Sequence, residues 1–247
     1  MDRKKLYLST IDPAAGTIAE KYGLGVEIAE YCTAWNLDDH FSATDAQVRQ
    51  EIRGVERRMF HGPFNELFPC AIDPQARALA ARRYTQAMAL AKQYDARGIV
   101  IHGGFQPFAY YRSWYVEQSI LFWKSFLRDA PGGLTIFLEN VLEPEPEDLL
   151  DIVRGVGDPR LRLCLDVGHV NAYSRIPVET WLKTLSPFLS HFHIHNNDGS
   201  RDTHSPLYEG TIPMEELLRK AEELCPEATY TLELTQSEAS VRWLLET

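Results

Sequence analysis

The 247-residue chain has few cysteines, and their positions exclude two kinds of small-domain architecture. The four are far apart and include no CxxC pair: Cys32, Cys70, Cys164 and Cys225. Zinc knuckles need paired cysteines, and disulfide-rich secreted domains need cysteines at high density. We therefore expect reduced thiols and a cytoplasmic protein.

The chain also lacks long apolar runs and an excess of positive charge. No window approaches the roughly 18 apolar residues of a membrane-spanning helix, and no signal-peptide core follows the N-terminal MDRKKLYLST. With 25 basic and 35 acidic residues the formal charge is −10, which disfavours binding to nucleic acid and to anionic membranes. The surplus carboxylates can instead serve as ligands for divalent cations.

The chain does contain a regular alternation of apolar runs and amphipathic segments. The strand-like runs are 4–10, 25–32, 57–62, 98–104, 135–141, 161–169, 189–196 and 229–234. Helix-like segments lie near 14–22, 74–95, 113–129, 146–155, 178–185, 213–224 and 237–246. Eight strand-like runs alternating with helix-like segments in about 250 residues predict an α/β fold, a (β/α)8 TIM barrel formed by a single domain over 1–247. An open doubly wound sheet is the alternative, but 9–13 (STIDP) is not the glycine-rich turn that such sheets usually carry.

Chemically active side chains concentrate where the predicted strands end. Six consecutive strand ends carry an imidazole or a carboxylate: His61, His102, Glu139, Asp166, His193 and Glu233. His169 and His195 follow two of these, and the loop after the seventh strand adds Asp198, Asp202 and His204. In a TIM barrel these ends meet at the C-terminal face, where active sites lie. Of the eight histidines only His40 falls outside the strands and the residues just after them, so chance is a poor explanation.

Two interpretations compete for each of these residues taken singly. A histidine at a strand end is commonly a hydrogen-bonded structural residue, and a buried glutamate can pair with an arginine. A ring of inward carboxylates, in contrast, would repel itself without cations between its members. Imidazole mixed with carboxylate suits Zn²⁺, Mn²⁺ or Fe²⁺. The set therefore predicts a divalent-metal site, whereas His191, deeper in the seventh strand, is expected in the barrel core.

The motifs at these strand ends resemble those of the xylose isomerase-like TIM-barrel superfamily, which includes the AP endonuclease 2 (endonuclease IV) family and many sugar isomerases and epimerases. The matching pieces are HGPF at 61–64, VIHGG at 100–104, LEN at 138–140, LDVGH at 165–169, HIHNNDG at 193–199, DTH at 202–204 and LEL at 232–234. They follow the family's order and span almost the whole chain.

The resemblance implies two alternative metal patterns. The pattern of sugar isomerases and epimerases would place one Mn²⁺-like ion on Glu139, Asp166, His193 and Glu233. The endonuclease-like pattern would place up to three zinc ions on those four residues together with His61, His102, His169, Asp202 and His204. The alignment of one ligand is open, because the family's HxND can also be matched to 195–198, which would make His195 the ligand instead of His193. We prefer His193, since HxH followed by Asn or Asp is the form typical of the isomerase-like members.

The function that the resemblance implies first is metal-dependent isomerisation or epimerisation of a sugar, a sugar phosphate or a polyol. Glu139 and Glu233 would move the proton as base and acid through an enediolate. The candidate substrate contacts are His102, His169, His195, Arg112 and Arg201, together with the aromatic loop 105–115. Within that loop Trp114 and Tyr115 are expected to pack against the protein.

The alternative function is that of an endonuclease IV-like zinc phosphodiesterase, acting on abasic DNA or on a small phosphoester with two or three zinc ions. DNA is disfavoured because the predicted active face has only Arg112, Arg175 and Arg201, while 143–148 adds carboxylates near its mouth. A barrel that binds a ligand or metal without catalysis is the third interpretation. Self-association as a homo-oligomer is compatible with the sequence, which specifies no interface.

Overall fold

A computed structural model describes residues 1–129 and 133–246. Their strands form a closed barrel in the order β1 to β8, in which neighbouring strands are parallel and β8 pairs with β1. The strands are β1 (Leu6–Ser9), β2 (Gly25–Ile28), β3 (Arg58–His61), β4 (Gly98–His102), β5 (Thr135–Glu139), β6 (Leu161–Asp166), β7 (Leu189–Ile194) and β8 (Thr229–Leu232). The predicted (β/α)8 architecture is confirmed.

Helices connect these strands, as the amphipathic segments predict. Those in the described residues are α1 (Ala15–Tyr22), α2 (Ala34–Leu37), α3 (Phe41–Glu51), α4 (Pro74–Gln93), α5 (Arg112–Asp129), α6 (Pro146–Val156), α7 (Val167–Tyr173), α8 (Val178–Leu185), α9 (Met214–Leu224) and α10 (Glu238–Glu246). Helices α2, α3 and α7 were not predicted. None of the described helices combines the length and apolar character needed to cross a membrane.

The start of α4 and the two ends of α6 follow directly from the sequence. Helix α4 begins at an Asp-Pro pair, where the Asp73 carboxylate accepts a hydrogen bond from the backbone N–H of Gln75 at 2.7 Å. Helix α6 begins at Pro146 and is capped at its C-terminus by Gly157, whose φ of 69° favours glycine. Both helices lie in connections that place loops at the C-terminal face of the barrel.

The segment 161–169, predicted as a single strand, is a strand in its first part and a helix in its last. Strand β6 ends at Asp166, and α7 begins at the next residue. The Asp166 carboxylate accepts a 2.7 Å hydrogen bond from the backbone N–H of His169 and so caps the helix. This turn brings His169 Nδ1 to 3.6 Å from Asp166 Oδ2.

Side chains inside the barrel form layers, because alternate residues of a strand point to the same side. One layer is a buried apolar cluster of Tyr7, Met59, Val100, Phe137 and Cys164. Two residues further along β3, β4, β5 and β6 come, in that order, His61, His102, Glu139 and Asp166. The apolar layer therefore closes the barrel beneath a polar layer at the C-terminal ends of the strands.

Candidate metal centre

Four of the predicted ligands converge on one point of this polar layer. His193 Nδ1 lies 3.2 Å from Glu139 Oε1, 3.4 Å from Glu233 Oε2 and 3.9 Å from Asp166 Oδ2. One ligand atom from each of Glu139, Asp166, His193 and Glu233 can be chosen so that all lie within 4.8 Å of one another. These residues form the four-residue cluster. Its distances are those of ligands that could surround a single cation.

Unpartnered polar atoms test whether the residues fit a cation. Glu139 Oε2 is buried and has no hydrogen-bond partner among the described residues, although His61 Nε2 and His102 Nε2 lie 3.5 Å and 3.3 Å away. His195 Nδ1 and Asp202 Oδ1 are buried without hydrogen bonds too, 3.5 Å apart. A buried carboxylate oxygen without a partner is costly, and a divalent cation would satisfy it. The donor set of imidazoles and carboxylates therefore fits Zn²⁺ or Mn²⁺.

Two further groups of predicted ligands flank the four-residue cluster. On one side, His61 and His102 share Glu139 with it, and their ligand atoms also lie within 4.8 Å of one another. On the other side, Asp202 Oδ2 lies 3.4 Å from His169 Nε2 and 2.9 Å from His204 Nε2. The structure thus brings together every residue of the larger metal pattern as well as the smaller one.

The loop after β7 carries Asp202 and His204 back over the barrel. Asn196 and Ser205 pair in a short antiparallel bridge that closes this loop at its base. His204 has a φ of 47°, a conformation that few residues other than glycine adopt. Its Nδ1 lies 2.7 Å from the carbonyl oxygen of Glu233, which leaves Nε2 facing Asp202.

Glu27 on β2 is the component that the sequence analysis missed. Its Oε1 lies 2.9 Å from His193 Nε2, and its Oε2 accepts a 2.6 Å hydrogen bond from Thr231 Oγ1. His191 Nε2 lies 3.0 Å from the same Oε2, and His191 is fully buried, as predicted. A glutamate in the apolar run GVEI was the available signal, because a charged residue inside a fully buried strand needs partners.

The two histidines that the alternative alignments of the seventh strand would make a ligand have different neighbours. His193 is a member of the four-residue cluster, whereas His195 Nε2 lies 3.1 Å from both carboxylate oxygens of Asp166. His195 is fully buried and is not among the residues that line the cavity, while it forms a further possible cation position with His204 and Glu233. Its contact with substrate stays a prediction. Its ring occupies the space over Gly168, where a Cβ atom would lie 1.9 Å from His195 Cε1.

Burial and neighbouring charges shift the pKa values of the candidate ligands in opposite directions. Burial alone would raise the pKa of Glu139, but His193 and His102 lower it well below its ordinary value. Burial alone would lower the pKa of His169, yet the charge of Asp166 and its other acidic neighbours raise it to about 10. Burial lowers the pKa of His102 to about 3, which keeps this imidazole neutral and available as a ligand.

A cavity of about 790 Å³ opens onto the centre. His102, His169, His204 and Glu233 line it, so His102 and His169 can contact a bound molecule as well as a cation. The volume is in the range of small-molecule binding sites.

The two predicted arginine contacts lie elsewhere. Arg112 is paired with Asp148 at 2.8 Å and with Glu145 at 2.7 Å, and it is not among the residues that line the cavity. Arg201 is exposed in the loop after β7 and does not line the cavity either. Carboxylates outside the cavity bind Arg112 and solvent surrounds Arg201, so contact of these guanidinium groups with the substrate stays a prediction that this geometry does not support.

The aromatic loop divides into packing and exposed residues. Trp114 Nε1 donates to the Cys70 carbonyl oxygen at 2.9 Å, and Tyr115 is fully buried, so both pack as predicted. Phe105 is buried and lines the cavity, while Phe108 and Tyr111 are exposed.

The acidic segment after β5 is less open than the sequence suggests. Glu143, predicted near the mouth, is buried and accepts a 2.6 Å hydrogen bond from Tyr115 Oη. Asp148, also predicted near the mouth, is buried with Arg112 as its partner. These two carboxylates therefore stabilise the loops and do not present charge at the mouth.

The chain is similar to known proteins over most of its length. Residues 18–247 match the family described as xylose isomerase-like TIM barrel. The uncharacterised protein MJ1311 of Methanocaldococcus jannaschii is 29% identical over 184 residues, which are 70% of this chain and 62% of that protein. The match thus spans less than two thirds of this curated relative.

Two solved structures share the fold over nearly the whole chain. The TTHB071 protein of Thermus thermophilus, soaked with ZnCl2, has a TM-score of 0.79 and 24% identity, and the match covers 98% of this chain and 97% of that one. A D-tagatose 3-epimerase-like protein has a TM-score of 0.75 and 23% identity, with 98% and 96% covered. The barrel, the strand-end residues and the family match lead to the same conclusion: the chain belongs to the xylose isomerase-like TIM barrel family.

Proposed function

We propose that the protein is a divalent-metal-dependent isomerase or epimerase of a sugar or a related polyhydroxy carbonyl compound. The observation that carries the proposal is the position of two glutamates around one imidazole nitrogen. Glu139 and Glu233 lie on β5 and directly after β8, and both reach His193 Nδ1, at 3.2 Å and 3.4 Å. Two carboxylates at one cation position, at the floor of a cavity, suit the removal and return of a proton beside a carbonyl.

The division of labour follows from burial and charge. A Zn²⁺ or Mn²⁺ ion held by the four-residue cluster would polarise the carbonyl and the neighbouring hydroxyl of the substrate. Glu139, whose pKa is held well below its ordinary value, is ionised and able to accept the proton from the carbon next to the carbonyl. The electron pair of that C–H bond passes into an enediolate of the substrate. Glu233, whose side chain is 12% exposed at the cavity, takes a proton from solvent and delivers it to the carbon or to the oxygen, and Glu139 then loses its proton to solvent.

The comparisons support this class without specifying a substrate. The D-tagatose 3-epimerase-like protein shares the fold, and the TTHB071 structure was obtained after soaking with zinc chloride. For the present chain the activity, the ion and the substrate are part of the proposal.

The test is exchange of substrate hydrogen with solvent deuterium. Protein loaded with Mn²⁺ or Zn²⁺ is incubated in D₂O with a panel of ketoses, and proton NMR follows loss of the signal next to the carbonyl. Glu139→Gln and Glu233→Gln should each lower the exchange rate by about 10²-fold or more. Glu147→Gln, an exposed carboxylate in α6, is the matched control and should leave it unchanged. Near-normal exchange in either of the first two variants would remove the two-glutamate mechanism.

A second candidate function is zinc-dependent phosphoester hydrolysis, favoured by the two groups that flank the four-residue cluster. Together they provide ligands for two or three ions, which could bind a phosphate and activate water. Elemental analysis distinguishes the candidates, since about one ion per chain fits the isomerase and two or three fit the hydrolase. In the hydrolase, Asp202→Ala should be as damaging as Glu139→Gln to hydrolysis of phosphomonoesters and abasic DNA.

A further inference from the structure

The lining of the cavity is divided between two chemistries. The loops after β1 to β5 contribute an apolar wall: Ile11, Ala29, Phe64, Leu67, Phe68, Phe105, Val141 and Leu142. The elements after β6, β7 and β8 contribute a polar wall with His169, Asp202, His204 and Glu233. The same loops also contribute Asn65, Glu66 and Gln106, and the strand ends beneath them contribute His61, His102 and Glu139. A ligand that spans the cavity would therefore touch an aromatic and aliphatic surface at one end and metal-binding side chains at the other.

The described residues of this lining include no lysine or arginine side chain. Its acidic residues are Glu66, Glu139, Asp202 and Glu233, and its histidines all belong to the predicted ligand set: His61, His102, His169 and His204. Sugar-phosphate enzymes with this fold commonly bind the phosphate at the loops after β7 and β8. Here the loop over 195–213 carries Asp198, Asp202 and Glu209 against the single arginine Arg201. A phosphate group at that position would meet carboxylates.

We infer, on the basis of the proposed function, that the substrate is an uncharged carbohydrate with an apolar substituent, such as a glycoside of an aromatic alcohol, and not a sugar phosphate. The carbonyl and hydroxyl groups lie at the four-residue cluster, and the substituent packs against Phe68 and Leu142. Burial of an apolar group on this wall adds binding energy, while a dianion gains no cationic partner from the side chains of the wall. The cavity volume of about 790 Å³ accommodates a sugar with such a substituent.

Three probes that share one reacting group test the inference. They are the 3-keto derivatives of methyl β-D-glucoside, of phenyl β-D-glucoside and of methyl β-D-glucoside 6-phosphate. All have a ring carbonyl flanked by C–H groups and hydroxyls, so they differ in the substituent alone. For the metal-loaded protein in D₂O, we expect kcat/KM for deuterium exchange to be about tenfold or more higher for the phenyl than for the methyl compound. The phosphate should be about tenfold or more below the methyl compound, and a protein-free sample corrects for spontaneous exchange.

A change in the apolar wall should reverse this order. Leu142→Arg places a cation where the substituent packs, so it should remove the preference for the phenyl probe and improve the phosphate probe. Ile72→Arg, the same kind of change at an exposed apolar residue outside the cavity, is the matched control and should preserve the order. Circular dichroism establishes that both variants are folded, and the comparison of the three probes on the unmodified protein does not depend on them.

The outcomes separate this inference from the proposed function. Exchange with the phosphate probe as the best substrate, or with the phenyl probe no better than the methyl one, supports an isomerase and overturns the inference. If no probe exchanges, the proposed chemistry fails for this series, and saturation-transfer NMR on the same loaded protein measures binding instead. Tighter binding of the phenyl probe then supports the inference about the cavity, and equal binding of the three probes or none at all overturns it.

Discussion

Glu27 Oε1 lies 2.9 Å from His193 Nε2, on the opposite side of the imidazole ring from the carboxylates of the four-residue cluster. Burial alone would raise the pKa of Glu27, but His193 and His191 lower it well below its ordinary value, so the carboxylate is ionised. A carboxylate in this place fixes the ring orientation and increases the basicity of the nitrogen that faces a cation. Glu27 thus supports the candidate metal centre from one layer deeper in the barrel than the candidate ligands.

Replacing Glu27 tests this relationship. Glu27→Gln keeps the shape of the side chain and removes its charge, so we expect the affinity for Zn²⁺ to fall by about 10- to 100-fold. A competition titration against a chromophoric chelator measures the change. Glu56→Gln, at an exposed position, is the control. Unchanged affinity in Glu27→Gln would show that the carboxylate serves the fold alone.

Cation binding should stabilise the protein against heat. In the absence of a cation, the carboxylates of Glu139, Asp166 and Glu233 repel one another. Binding to the folded state alone contributes about 2.7 kcal/mol when the free ion is at 100 times its dissociation constant. We expect the Tm to rise when Zn²⁺ or Mn²⁺ is added to chelator-treated protein, and to rise less in Asp166→Asn. A Tm that neither ion changes would contradict the metal site.

Cation binding should also release protons, with a sign that follows from two pKa values. Burial would lower the pKa of His204, but its hydrogen bond to Asp202 and the charge of Glu233 raise it to about 9, and that of His169 is about 10. Both imidazoles are therefore protonated near neutral pH in the cation-free protein. A cation must displace these protons to bind them, so its affinity should increase as the pH rises toward 9.

Calorimetry in buffers of different ionisation enthalpy counts the released protons. Replacing both histidines, in His169→Asn with His204→Asn, should lower the count if these residues become ligands. A count that the double variant leaves unchanged would restrict the cation to the four-residue cluster.

Gly168 should tolerate no side chain. A Cβ atom there would lie 1.9 Å from His195 Cε1 and 2.4 Å from Nδ1, and the ring is fully buried between its neighbours. We expect Gly168→Ala to lower the free energy of unfolding by about 1–3 kcal/mol and to weaken cation binding through Asp166. Urea denaturation and the chelator titration measure the two effects. Full stability in this variant would mean that His195 can move without cost.

The sequence predicts the architecture and most of the candidate site because both follow from local patterns, the alternation of strands and helices and the position of each strand end. A residue at the end of a barrel strand is placed by the strand itself, which is why His61, His102 and Glu139 could be identified by position. The roles of His193 and His195 could not be separated, since residues two apart point to the same side of a strand. Glu27 was not predicted as part of the site because its histidine partners lie some 160 residues away along the chain.

The two carboxylate oxygens of Glu139 face different groups of candidate ligands, so under the proposed function the number of bound ions would decide which reaction takes place. Its Oε1 faces His193, while its Oε2 faces His61 and His102. A single ion held by the four-residue cluster would leave one oxygen of Glu139 able to accept a proton. A second ion held by His61 and His102 would engage the other oxygen as well, and Glu139 could then no longer act as the base. The supply of metal would then decide between proton transfer and hydrolysis, because the Glu139 carboxylate would be a base in one case and only a ligand in the other.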